Sequence, residues 1–200
     1  MGFEVYKDMT EILQDDFCGE YRISHFTIDR NTFEGIRAIL RLGIPEGSYV
    51  RLTRGYECIM SETPMEKRSN LKFVNKAHGR VLVAGLGIGM ILLAIQDKPE
   101  VEEIIVVEMS QEVIDLVQPQ LPLNNKVKIV HEDIFEYIPE GKFNTIYFDI
   151  WATYNSDTYE DEMVPLMDQY ITHLVSDKED PNRYIDCWAK DAARYNRELI

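Results

Sequence analysis

One stretch constrains this chain more than any other. Residues 81–84, Val-Leu-Val-Ala, run without a polar side chain into Gly85-Leu86-Gly87-Ile88-Gly89, and Met90 opens a second apolar run that ends at Gln96. The first run predicts a strand buried on both faces. Glycines at alternate positions predict a turn whose backbone reaches conformations closed to other residues and can approach a ligand closely, and the helix start behind it offers free N–H groups to an anionic end. Sixteen residues interrupted by three glycines are too short for a membrane span, which needs about 20 apolar residues. The segment therefore reads as the strand, turn and helix of an open α/β sheet.

The same alternation continues to the end of the chain. Residues 104–108, 127–130 and 145–149 are further short buried-strand runs, 184–188 is a candidate fifth, and helix-like segments at 90–96 and 111–117 separate the first three. Leu166, Met167, Tyr170, Ile171 and Leu174 form another helical stripe, and the last residues are helical. Strands alternating with helices predict a parallel sheet covered on both faces. Residues 1–79 read differently. Segments 21–29 and 49–61 are rich in β-branched and aromatic residues, and between them Phe33, Ile36, Ile39 and Leu40 fall at helical spacing, with Asn31 as N-cap and Gly43 and Pro45 behind. Thr63-Pro64-Met65-Glu66 predicts a helix start, Glu66 completing a capping box. The expected organisation is a small strand and helix region, 1–79, packed on a Rossmann-like domain, 80–200.

Charge narrows the partners. The 200 residues carry a formal net charge of −14, and the imbalance is local: residues 1–80 hold 12 acids and 12 bases, residues 81–150 hold 12 and 4, residues 151–200 hold 11 and 5. Such a surface repels nucleic acid and anionic membranes and suits a neutral or cationic small molecule. Cys18, Cys58 and Cys187 are too few and too scattered for a disulfide framework or a zinc cluster, so buried free thiols in a reducing cytoplasm are expected. Residues 1–8 lack the apolar run of a secretory signal and the hydroxyl residue of a myristoylation site. His131-Glu132 has Phe135 where a zinc protease has its second His, and the acids at 157, 160, 161 and 162 lack calcium-loop spacing, so no metal is expected.

Glu108 stands 23 residues after Gly85 at the tip of the second strand, the place where an acid bonds a ribose hydroxyl pair. A dinucleotide fingerprint would need a small third residue at position 90, where this chain has Met. The observed G-x-G-x-G, Gly85 to Gly89 with Leu86 between, resembles instead the first motif of class I S-adenosylmethionine-dependent methyltransferases. Three further points follow in that family's order. Glu108 resembles its ribose-binding acid, with Met109 as a wall for adenine. The segment His131-Glu-Asp133-Ile134-Phe135 resembles the motif whose Asp accepts from the adenine amino group, with Ile134 as apolar contact. Residues 143–151, FNTIYFDIW, resemble the fourth motif, whose acid, Asp149, faces the methionine end of the cofactor and the substrate. The resemblance implies S-adenosylmethionine as cofactor and Asp149 as the catalytic candidate.

Within that superfamily the chain is similar to spermidine-synthase-like proteins over roughly residues 50–190. Those synthases place one Asp inside the glycine loop and another three residues after the strand-four acid; here Ile88 and Ala152 stand at those positions. The Pro-Pro signature of amino-methylating nucleic-acid enzymes is absent after Asp149 as well. Methyl transfer to a small molecule is therefore the expected activity, with aminopropyl transfer or non-catalytic cofactor binding as alternatives. Trp151, Tyr154 and Asp157, in the loop beyond the fourth strand, are the candidate substrate contacts. Only 51 residues follow Asp149, so the sheet is expected to be shortened at its C-terminal side, its open edge covered by the N-terminal region or by a second copy in a homodimer.

Overall fold

The computed structural model describes residues 3–199; Met1 and Gly2, on which the reading of a myristoylation site turns, lie outside them. Two sheets are present. The first is an antiparallel meander of β1 (Asp16–Cys18), β2 (Tyr21–Ile28), β3 (Gly47–Arg54) and β4 (Glu57–Ser61), paired in that order. The short helix α1 (Met9–Ile12) precedes it, capped by Asp8, whose Oδ1 accepts the Thr10 N–H at 2.9 Å.

Helix α2 (Phe33–Leu42) joins β2 to β3. Its cap is Thr32 rather than the expected Asn31: Thr32 Oγ1 accepts the Gly35 N–H at 3.0 Å, while Asn31 bonds back to Asp29. The expected apolar stripe is real but faces outward. Gly35 and Ala38 are the buried positions of α2, a Cβ at Gly35 would lie 1.9 Å from the Asp29 carbonyl oxygen in the turn before the helix, and Phe33, Ile36 and Leu40 are exposed while Ile39 is half-buried.

Helix α3 (Pro64–Lys76) starts at Thr63 with Pro64 in its first turn, as the sequence predicts, but no capping box forms. The Thr63 hydroxyl instead pairs with Ser61 Oγ at 3.0 Å. Glu66 turns toward the Ser61 backbone N–H and the interior, away from the Thr63 backbone.

The second sheet follows the predicted alternation. It runs β5 (Gly79–Ala84), α4 (Met90–Ile95), β6 (Val101–Glu108), α5 (Gln111–Val117), β7 (Val127–His131) and β8 (Thr145–Phe148). After β8 come α6 (Ser156–Thr158), a π-helical turn (Tyr159–Met163), α7 (Val164–Tyr170), β9 (Tyr184–Cys187) and α8 (Lys190–Arg194). The strand order is β7-β6-β5-β8-β9, parallel throughout, which is a Rossmann-like sheet. Strand order reverses between β5 and β8, and a crevice opens there beyond the carboxyl ends of the strands. The tips are level: Ala84 pairs with both Val107 and Phe148.

Period-two alternation divides β5 between two cores. Val81 and Val83 join a cluster that also holds Ile23, Val50 and Leu52 of the first sheet and Phe73 of α3, whose ring stacks on Tyr147 at 4.1 Å. Leu82 and Ala84 face a second cluster built on Phe148, Leu166 and Tyr170. The Tyr170 hydroxyl lies 2.7 and 2.8 Å from the carbonyl oxygens of Ile134 and Tyr137, which fixes the loop after β7. Of the three thiols only Cys187 is buried; Cys18 is half-buried and Cys58 exposed, against the expectation of buried thiols, because Cys58 sits on the edge strand β4. No helix among the described residues is long and apolar enough to cross a membrane.

Candidate functional site

A cavity of about 400 Å³ occupies the crevice at the tips of β5, β6 and β8, and the hairpin of β3 and β4 roofs it. The glycine turn forms its floor. Gly85 has φ 94°, and a Cβ there would stand 2.3 Å from the Asp149 carbonyl oxygen; Gly87 has φ 51°, and its Cβ would stand 2.3 Å from Met60 Sδ. Glycine is what lets β5 turn between β8 and the roof. Leu86, buried, and Gly89, which opens α4, support the turn from behind without lining the cavity.

The turn's amides are largely engaged by the protein itself, which corrects the expectation of free N–H groups. Leu86 N–H donates to Glu108 Oε2 at 2.8 Å, Gly89 N–H to the Leu86 carbonyl at 2.9 Å, and Ile88 N–H to Met60 Sδ at 3.5 Å. Glu108 is held from two sides, since Ser110 N–H also donates to its Oε1 at 2.8 Å. Each carboxylate oxygen thus keeps acceptor capacity for a ligand, in a plane set by two backbone donors.

The loop after β7 brings Asp133 and Ile134 to the same cavity. Asp133 Oδ1 accepts the Phe135 N–H at 2.9 Å, and Ile134 is buried beside it. Met109, largely exposed, also lines the cavity.

Asp149 ends β8, its N–H donating to the Ala84 carbonyl at 2.9 Å. Removal from water pushes its carboxyl up to about 7. Its charge adds to burial in raising the phenols of Tyr6 and Tyr147.

The loop beyond β8 divides the three substrate candidates. Trp151 lines the cavity, its indole N–H donating to Glu162 Oε2 at 2.7 Å. Tyr154 is not in the lining: its ring meets Trp188 edge-on at 5.5 Å, and its hydroxyl accepts the Leu199 N–H at 2.9 Å. Asp157 is exposed and also outside the lining. Ala152 lines the cavity, whereas Ile88 is fully buried and does not.

Three acids outside the expected site complete the lining: Glu57 at the start of β4, Glu66 and Glu162. Glu162 belongs to the run read as a solvated helix start, and the π-helical turn carries it to Trp151. Glu66 is only 7% exposed. Burial first, and the charge of Asp149 second, push its carboxyl up to about 8, with the Ser61 backbone N–H opposing. The capping-box spacing marks Glu66 as part of the start of α3, and no local pattern places its carboxyl in the cavity. The lining holds the acids Glu57, Glu66, Glu108, Asp133, Asp149 and Glu162 against one base, Arg54, itself bonded to Glu57 at 3.1 Å. Such a cavity attracts positive charge and disfavours anions. Among the described residues no group of three or more His, Cys, Asp or Glu could hold a metal ion.

No protein-family model matches the chain, and no curated protein matches it. Solved structures similar to it include the plantazolicin methyltransferase BpumL in complex with SAH, at 19% identity and TM-score 0.39 over 54% of this chain and 39% of that one. Spermidine synthase from Thermotoga maritima is similar at 19% identity and TM-score 0.43, over 74% of this chain and 50% of that one. The N-methyltransferase NodS from Bradyrhizobium japonicum WM9 is similar at 14% identity and TM-score 0.44, over 57% and 65%. The matched part is thus 39% of the first of these structures.

Proposed function

We propose that the chain is an S-adenosylmethionine-dependent methyltransferase acting on a small molecule. The observation that carries this reading is Glu108, an acid at the tip of the strand next to the glycine turn, oriented by the Leu86 and Ser110 amides toward a cavity that Asp133 and Asp149 share. Two oxygens with fixed orientation fit a vicinal diol. Asp133 fits an amino group at the adenine end, with Ile134 and Met109 as apolar walls, and the bound cofactor would supply an electrophilic methyl group on a sulfonium. Asp149 then lies at the reacting end, where its ionised form stabilises positive charge and can accept a proton from the nucleophile. Trp151, fixed by Glu162, excludes water from that end.

The acidic lining supports a neutral or cationic acceptor rather than nucleic acid. Aminopropyl transfer is less well supported, because Ile88 is buried under Met60 and Ala152 brings only a methyl group to the cavity. Calorimetry tests the reading with S-adenosylmethionine, its decarboxylated form, S-adenosylhomocysteine and NAD. Binding of the first and third is expected. Preference for the decarboxylated cofactor would return the chain to aminopropyl transfer, and binding of NAD alone would overturn the cofactor assignment.

A further inference from the structure

The proposed chemistry uses Asp149 and leaves Glu66 without a task. A carboxyl buried to this degree is costly to ionise, and the influences on its proton include no cation: burial and Asp149 oppose ionisation, and only the Ser61 amide favours it. Yet the side chain lines the cavity instead of turning back to cap α3. Two carboxyls on different elements, Glu66 on α3 and Asp149 directly after β8, thereby line the same cavity, and the charge of Asp149 reaches Glu66.

A cationic ligand group placed there would satisfy both. A carboxylate or phenolate acceptor would add a negative charge to a lining of six acids and one paired base, and a neutral alcohol would leave the pair uncompensated. Elsewhere around the cavity, Glu108 and Asp133 line the nucleoside end, Glu162 is bonded to Trp151, and Arg54 is bonded to Glu57. Behind the pair stand the phenols of Tyr6 and Tyr147, bonded to the Lys67 carbonyl and to Asn70. None of these groups is a cation facing Glu66.

We propose that Glu66 and Asp149 form the acceptor subsite of this protein and that the acceptor is a primary or secondary amine, bound as its ammonium, which gives one proton to ionised Asp149 so that the nitrogen lone pair is free to take the methyl group. The inference rests on the methyltransferase reading for the identity of the second ligand. It carries its own consequence: an ammonium held between the two carboxyls favours their ionised forms, so binding at pH 7 expels a proton into solution.

The test uses protein saturated with S-adenosylhomocysteine and three probes of near-equal size, benzylamine, benzyl alcohol and phenylacetate. Calorimetry at pH 7 in two buffers of different ionisation enthalpy reads affinity and proton release together. Benzylamine is expected to bind at least tenfold more tightly than the other two, with release of a proton. Glu66→Gln is expected to lose about tenfold for benzylamine and most of that release, while its affinity for S-adenosylhomocysteine stays within twofold. Thermal melting reports whether the variant folds; if it does not, the probe preference and proton release of the wild-type protein decide.

Equal binding of the three probes overturns the proposal, as does benzylamine binding without proton release. So does a Glu66→Gln variant that loses S-adenosylhomocysteine instead of benzylamine, because Glu66 would then hold the cofactor's own ammonium. If S-adenosylhomocysteine does not bind at all, the methyltransferase reading fails. The same three titrations on the protein alone then still judge the carboxyl pair.

Discussion

Glu66→Gln should stabilise the protein, and by more the higher the pH. The carboxyl moves from its ordinary 4.5 to about 8 on folding. Each tenfold change in proton affinity is worth about 1.4 kcal/mol, so ionising Glu66 inside the fold costs up to about 5 kcal/mol. The sign follows from proton binding. Between pH 4.5 and 8 the folded state keeps a proton that the unfolded chain has released, so wild-type stability falls as pH rises through that window and levels off above it. Glutamine fills the same volume, keeps a polar end and does not titrate. Water entering the open cavity and the coupling to Asp149 both reduce the effect, and a relative gain of about 2 to 4 kcal/mol between pH 5 and pH 8.5 is expected. For a chain of this length that corresponds to a melting temperature higher by roughly 4 to 16 °C. Urea denaturation of both proteins at the two pH values measures it directly. A stability difference that does not change with pH would refute the claim that Glu66 is buried as a carboxylic acid.

Three further outcomes follow from the site. Glu108→Ala removes a charged acceptor held by two amides, and calorimetry should show S-adenosylmethionine binding weakened tenfold to a hundredfold, about 1.5 to 3 kcal/mol. Asp149→Asn should leave a folded protein with turnover reduced at least tenfold, and it should flatten the rise in wild-type rate through pH 7 that ionisation of a carboxyl near 7 produces. Gly85→Ala would put a Cβ 2.3 Å from the Asp149 carbonyl oxygen at φ 94°, so chemical denaturation should show a loss of at least about 2 kcal/mol; an unchanged midpoint would mean that the turn rearranges freely.

The parallel sheet was legible because its signals are local. Residues 81–84, 104–108, 127–130 and 145–149 are apolar runs bounded by turn residues, and each lies within or beside an observed strand. Glycines 85 and 87 declare their positive φ by being glycine, and Glu108 and Asp133 declare strand ends by following apolar runs. What failed was decided by tertiary contacts that no local pattern encodes. The stripe of Phe33, Ile36 and Leu40 has the spacing of a buried face, yet the buried positions of α2 are Gly35 and Ala38. Glu66 has the spacing of a capping box, yet its carboxyl is buried in the cavity lining with the Ser61 backbone N–H as its partner. Tyr154 stands three residues after Trp151, and Trp188, from a segment 34 residues further on, takes its ring out of the cavity lining.

The division between legible and illegible residues follows the division between the strand tips that floor the cavity and the elements that pack over them. Groups assigned to the nucleoside sit at strand tips, where the requirement is a backbone geometry: a turn at positive φ, an acid one strand over, an acid after the next. Asp149 of the proposed acceptor subsite follows a strand tip as well, whereas its partner Glu66 and the rest of the lining come from elements that merely pack over those tips. Met60 of β4 covers the glycine turn, Arg54 and Glu57 flank the β3–β4 turn, Glu66 lies in the first turn of α3, and Glu162 rides on the π-helical turn. Their identities are set by the partner they face rather than by the element they belong to. A chain can therefore keep the floor and change acceptor by substituting a roof residue at a position where the strand or helix tolerates many side chains. On the proposed reading, substitutions at Glu66 and in the β3–β4 roof should shift acceptor preference while cofactor affinity, which that reading assigns to Glu108 and Asp133, holds.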